Sequence, residues 1–259
     1  MHRSRWVQLS LIVLGTSSLG CASGFKLTRY TTSESLYRAA MDQFRRKKWD
    51  NAIQAFEKLT LDLPARDTLL PMSHYYLAKS HAGRGDHLLA AQAYSRMAES
   101  FATDSLADDA TFESGLEYEK LWRKPVLDAQ YGGEALTVFQ TFLALYPDSE
   151  LRDKAVAEIQ RMQEWFATKD FENAMYYFRR KAYDPALIYF RDVVRLYPET
   201  ERAKDSYLRM AEAYDAIRWK DDKTEVCKTL WERYAKDPQV PIVCGRAPPP
   251  VDTVRKGSP

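Results

Sequence analysis

The sequence predicts an all-α protein made of about five repeated helix pairs, about ten helices in all. Three observations carry this. Glycine is scarce, with 10 in 259 residues, and stretches such as Asp153 to Arg180 contain neither glycine nor proline, which favours helices over strands. Four segments repeat one pattern, WDNAIQAFEKLTLDLP, HLLAAQAYSRMAESFA, YGGEALTVFQTFLALYP and YDPALIYFRDVVRLYP, and each places a small residue four before an aromatic: Ala52 and Phe56, Ala90 and Tyr94, Ala135 and Phe139, Ala186 and Phe190. A proline follows eight residues after the aromatic in three of them, at Pro64, Pro147 and Pro198, with Ala102 in its place in the second.

Residues four apart share a helix face, so the small one lets a neighbouring helix approach while the aromatic fills the groove beside it. The proline ends the helix and sets the next turn. These are the second helices of the pairs. The first helices lie upstream, with a small residue sixteen before each aromatic at Ala40, Ala78 and Ala174. The third first helix is DDATFESGLEYEKLW, with Gly115 and Tyr118 in the corresponding places and an insertion near Arg123 to Tyr131. The fifth is YLRMAEAYDAIRW, with Ala211 and Tyr214; its partner, roughly Asp221 to Tyr234, carries Cys227 where the aromatic would stand. Divergence at the end of a stack is expected, because the last unit caps it. The aromatics are spaced 38, 45 and 51 residues apart, and the last excess falls on Ser149 to Arg180, read as one long or kinked helix. These spacings resemble the tetratricopeptide repeat, a helix–turn–helix of about 34 residues. The resemblance implies a superhelix with a concave groove.

The ends differ from this body. Arg3 and Arg5, the apolar run Trp6 to Leu14 and the mostly small residues Thr16 to Gly20 form an export signal, too short to span a bilayer, which needs roughly 20 apolar residues. Leu19-Gly20-Cys21 resembles a bacterial lipobox, although Ser18 stands where that motif prefers leucine. It implies a diacylglycerol and an N-acyl chain on Cys21, which would hold the protein stably on a membrane. Ala22 gives no inner-membrane retention signal, so the expected location is the periplasmic face of the outer membrane. Residues 237–259 carry six of the twelve prolines and read as a mostly disordered tail. The expected organisation is therefore a signal peptide at 1–20, a lipidated tether at 21–32, a repeat domain at 33–236 with halves at 33–121 and 131–236, and the tail. Cys227 and Cys244 either pair in an oxidising compartment or stay free.

No catalytic or cofactor motif emerges, and no metal site. With 38 basic and 36 acidic side chains the net charge is +2, so there is no nucleic-acid footprint. His74 and His81 lie seven apart on one helix face with no carboxylate or cysteine completing a ligand set. Asp108-Asp109 and Asp221-Asp222 fall at predicted helix starts, where the helix dipole favours negative charge. This is the pattern of a binding scaffold. Counting from the small residues places Tyr37, Met41, Phe44, Tyr75, Lys79, Phe112 and Leu116 on the concave wall of the N-terminal half, with Arg45 near it. Such a wall would suit a peptide ending in an aromatic residue and a free carboxylate. The C-terminal half is rich in arginine and tyrosine, at Tyr176, Arg179, Arg180, Tyr189, Arg191 and Arg195, a composition typical of protein interfaces.

ESLYRAAMDQFRRKKWDNAIQAFEKLTLDLP, YYLAKSHAGRGDHLLAAQAYSRMAESF and YYFRRKAYDPALIYFRDVVRLYP together resemble the BamD-type lipoproteins, across roughly residues 33–235. The family's Tyr-Pro pair after the first two repeats is replaced by Leu63-Pro64 and Phe101-Ala102. The resemblance implies an outer-membrane scaffold of the β-barrel assembly machinery. Its C-terminal half would bind the periplasmic repeat domains of a barrel-assembly protein, and its N-terminal half would receive unfolded outer-membrane protein precursors. Two other readings stay open: an envelope repeat scaffold coordinating cell-wall synthesis with the outer membrane, and a solute-binding repeat lipoprotein.

Overall fold

The computed structural model describes residues 24–247, so Cys21, the export signal and the tail from Pro248 onward lie outside the described residues. Five helix pairs follow one another: α1 (Ser33–Arg45) with α2 (Trp49–Asp62), α3 (Leu69–Arg84) with α4 (His87–Ser100), α5 (Ala107–Leu121) with α6 (Gln130–Leu145), α7 (Arg152–Arg179) with α8 (Tyr183–Leu196), and α9 (Glu201–Ile217) with α10 (Lys220–Tyr234). A short α11 (Gln239–Cys244) follows, and no strand occurs among the described residues. Each helix packs chiefly against its neighbours in sequence. The fold is an all-α tetratricopeptide-type stack.

The repeated residues are what hold it together. Ala40, Ala52, Ala78, Ala90, Ala135, Ala174, Ala186 and Ala211 are fully buried, as are Phe56, Phe139 and Phe190, with Tyr94 and Tyr214 nearly so. Burying each such ring stabilises the stack by about 1.5–3 kcal/mol. Gly115 serves as the small residue of the third pair: a Cβ there would lie 2.7 Å from the Phe139 ring. Tyr118 is only half-buried: it packs against the edge of this core and stacks on Tyr131 at 6.3 Å.

Four of the five turns within pairs need a left-handed residue. Gly85 supplies it between α3 and α4 at φ 92°, while Lys47, Lys181 and Arg218 adopt it at φ 55°, 58° and 65° in the turns of the first, fourth and fifth pairs. The third pair uses the insertion instead. Trp122 at its start is fully buried against Phe166 (4.6 Å between ring centroids) and Trp165 (5.4 Å), and Gly132 leaves the space that its indole occupies. The segment read as an enlarged loop thus plugs a core.

The stretch Ser149 to Arg180 forms one unbroken helix of 28 residues, Arg152–Arg179. Its first half completes the core of α5 and α6 through Ala155 and Met162, and its second half opens the next core through Ala167, Phe171 and Ala174. The division expected between residues 121 and 131 therefore runs through a shared core, in which Phe112 and Trp122 meet Phe139, Phe142 and Met162.

Part of the proline-rich tail is ordered. Over residues 237–247 the expectation of disorder fails: α11 packs on α9 and α10, Val240 is fully buried, and Cys244 is bonded to Cys227. Pro238 and Pro241 fit at the start of this short helix, where the missing N–H groups have no helical partner anyway.

Candidate functional site

The first helices α1, α3 and α5 supply the wall that the sequence places in the N-terminal half, and its residues divide by depth. Tyr75 and Phe112 are each only 7% exposed. Tyr75 meets Tyr94 edge-on at 5.5 Å, and Phe112 packs on Phe139 and Phe142 at 5.6 and 5.8 Å. These two are core residues, not pocket lining. The second helix of their own pair closes over each of them.

Tyr37, Met41 and Phe44 are half-buried on one core and form the open part of the wall. Tyr37 meets Phe56 edge-on at 6.0 Å, and Phe44 meets Trp49 and Tyr76 at 5.5 and 5.2 Å. Tyr76, which sequence reasoning missed, stacks on Phe56 at 5.9 Å and continues this aromatic row onto α3. Burial, with Tyr76 adding, pushes the Tyr37 hydroxyl up to about 12, so it stays a neutral donor. Leu116 is half-buried on the core of Phe112 and Phe139, and Arg45 is exposed at the end of α1.

Lys79 sits 5.4 Å from the centroid of the Tyr75 ring. It also faces Asp109 and Glu113. Burial and the neighbouring Asp108 hold the Asp109 carboxyl above the usual carboxylate range, against the opposing pull of Lys79 and Lys154. Burial likewise raises Glu113, opposed by Lys79 and Lys120. Lys79 is therefore already matched by two acids on this part of the wall. A free carboxylate end is a poor match for it, and an extended segment offering amides, hydroxyls or a basic side chain fits better.

Below the wall lies a buried polar group that the sequence did not flag. The Glu117 side chain is almost wholly buried, takes a contact from His87 Nδ1 at 2.6 Å and accepts from Lys120 Nζ at 2.5 Å. The Lys120 spacing was legible as an i, i+3 pair; His87 comes from another helix thirty residues away. No group of three or more metal-ligating side chains occurs among the described residues.

The six candidate interface residues of the C-terminal half do not form one patch. Tyr176 is 51% exposed, with the Arg180 guanidinium stacked 3.6 Å over its ring. Tyr177 joins it edge-on and stacks on Tyr189 at 5.7 Å, which makes a continuous aromatic edge where α7 turns into α8. Arg179 is 3.5 Å from Glu172 on its own helix. Arg191 points the other way: its Nε and Nη2 donate to the Tyr214 hydroxyl at 3.0 and 2.7 Å, tying α8 to α9. Arg195 lies near the far end of α8, paired with Asp192 at 2.6 Å. A polar cleft of about 550 Å³ between α7, α9 and α10, bordered by Glu164, Thr200, Lys204, Arg233 and Tyr234, carries no sequence motif and went unnoticed. No helix among the described residues is long and apolar enough to cross a membrane.

Solved structures with similar helical arrays include the TPR2AB domain of yeast Sti1 in its pHSP90 complex, with 14% identity, a TM-score of 0.44, and 82% of this chain and 81% of that chain covered. The TPR domain of P58(IPK) is 16% identical with a TM-score of 0.44, over 82% of this chain and 63% of that one. MamA is 14% identical with a TM-score of 0.35, over 84% and 98%. No curated protein matches the chain significantly. The YfiO family, described as outer membrane lipoprotein, matches residues 29–230, which is nearly all of the helical stack from the turn before α1 into α10. The chain belongs to the YfiO family of outer membrane lipoproteins.

Proposed function

We propose that this protein is a periplasmic scaffold of the β-barrel assembly machinery, anchored to the outer membrane through acylated Cys21. The observation that carries the proposal is the extent of the family match. It spans residues 29–230 and so covers both candidate surfaces, the aromatic wall and the tyrosine–arginine edge, on one stack. The wall of Tyr37, Met41, Phe44 and Tyr76 receives unfolded outer-membrane protein precursors, with Lys79, Asp109 and Glu113 meeting their polar groups. The edge around Tyr176, Tyr177, Arg180 and Tyr189 receives a folded partner, the barrel-assembly protein with periplasmic repeat domains. An exposed tyrosine with a stacked arginine, as at Tyr176 and Arg180, is a typical anchor of such contacts. The protein has no catalytic task in this reading; it brings two partners together at the membrane.

A gentle-detergent pull-down of the tagged native lipoprotein, followed by mass spectrometry, tests this. A near-stoichiometric β-barrel protein with repeated periplasmic domains is the expected companion. Cell-wall synthases or a solute transporter in its place would refute the assembly role. For the wall, Lys79→Ala and Arg45→Ala are the informative variants, read as precursor-peptide affinity. Tyr75→Asp and Phe112→Asp bury an unpaired charge and would report on folding instead.

A further inference from the structure

The folded body begins closer to the anchor than the expected tether of residues 21–32 implies. A 3-10 turn, Leu27–Arg29, presses Phe25, Leu27 and Tyr30 onto the core of α1–α3, with the Phe25 and Tyr30 rings 5.7 Å apart. Phe25 lies only four steps along the chain from Cys21, and four residues fully extended span at most about 14 Å. An acyl anchor on Cys21 therefore sets one particular end of the stack against the bilayer. That end holds the start of α1 and, since α2 runs back alongside α1, the last turn of α2.

The surface there suits a lipid layer. Lys26 and Arg29 are exposed and form no ion pair among the described residues, whereas nearby Arg38 and Lys58 are matched to Glu34 and Asp62. Leu61, in the last turn of α2, is 84% exposed and lies on the opposite side of that helix from Phe56. Its exposure contributes nothing to the core. We propose that this end, marked by Lys26, Arg29 and Leu61, is a lipid-contacting surface that lies on anionic phospholipid headgroups. The two cations meet phosphates, as basic residues beside an anchor do, and Leu61 enters the interfacial layer. The inference rests on the reading of Cys21 as the acylated residue.

The test uses the full-length protein purified with its anchor and reconstituted in phosphatidylethanolamine–phosphatidylglycerol vesicles. Leu61→Cys carries an environment-sensitive fluorophore while Cys227 and Cys244 remain bonded to each other, and Ile188→Cys, at another exposed apolar site, is the reference. The Leu61 probe should be quenched by a bilayer-embedded nitroxide and be several-fold less open to aqueous iodide than the Ile188 probe. Lys26→Glu with Arg29→Glu should move it back toward water. A Leu61 probe as open to iodide as the Ile188 probe, on protein whose intact mass includes the acyl chains, overturns the lipid-contact surface and leaves the anchor standing. A product without acyl chains overturns the anchor, and the surface with it.

Discussion

Cys244→Ser removes the bond that ties α11 to the middle of α10. The bridged cysteines are 17 residues apart, and closing a loop of that length stabilises the folded state by about 3 kcal/mol in the chain-entropy account. In a stack whose units depend on their neighbours, the loss falls on the last unit rather than on the whole. Val240, the fully buried residue of α11 itself, is the apolar contact left to resist opening, and a buried valine is worth only about 1.5–3 kcal/mol. Amide exchange across 239–244 should therefore speed up about 100-fold, the equivalent of 3 kcal/mol. The amides of α1–α6 should be unaffected. Hydrogen-exchange mass spectrometry of parent and variant reads both, after peptide mapping of the bond in the parent. If exchange over 239–244 is unchanged, Val240 and the α9 and α10 contacts hold α11 unaided and the entropic argument is wrong. A uniform rise across all helices would instead refute the local character of the loss.

Three further outcomes are expected. Gly115→Ala forces a Cβ to within 2.7 Å of the Phe139 ring, so overpacking should cost about 1–3 kcal/mol, measured as a lower urea midpoint with an unchanged slope. Arg218→Gly relieves a left-handed turn residue at φ 65° and should raise the melting temperature by a few degrees, a gain of about 0.5–1 kcal/mol. Burial holds the folded Glu113 carboxyl above its usual range. What this group contributes to stability is therefore present below its unfolded pKa and declines as pH rises through the folded value. Glu113→Gln should accordingly raise the melting temperature at pH 7, and the difference should vanish near pH 4. A gain that persists at low pH would point to packing rather than charge.

The five pairs were legible because their signal is local. A small residue four before an aromatic is a contact within one helix face, and Ala52 with Phe56 or Ala186 with Phe190 says so without knowledge of the rest. What distance along the chain hides is depth. Tyr37, Tyr75 and Phe112 occupy the same place in successive first helices, and nothing local distinguishes them. Tyr75 and Phe112 are sealed by Tyr94, Phe139 and Phe142 from the following helices, while Tyr37 keeps an open side. The same holds for the arginines: Arg191 looks like an interface residue until Tyr214, 23 residues on, takes up its donors. The ordered part of the tail was not expected because its prolines argue against a helix, and the Cys227–Cys244 pairing left open by the sequence is formed, tying α11 to the preceding helix.

At about 1.5 Å per residue, the 28 residues of α7 measure some 42 Å from end to end. This single rod is mortared into two consecutive cores, Met162 in one and Phe171 in the other. A break between helices there would be a joint; an uninterrupted helix is a lever arm. A load that tilts the tyrosine–arginine edge at its C-terminal end must tilt the N-terminal stack by the same angle, unless the rod itself bends. The protein therefore behaves between these ends as a bracket of set angle, and seating its C-terminal edge on anything also aims its aromatic wall.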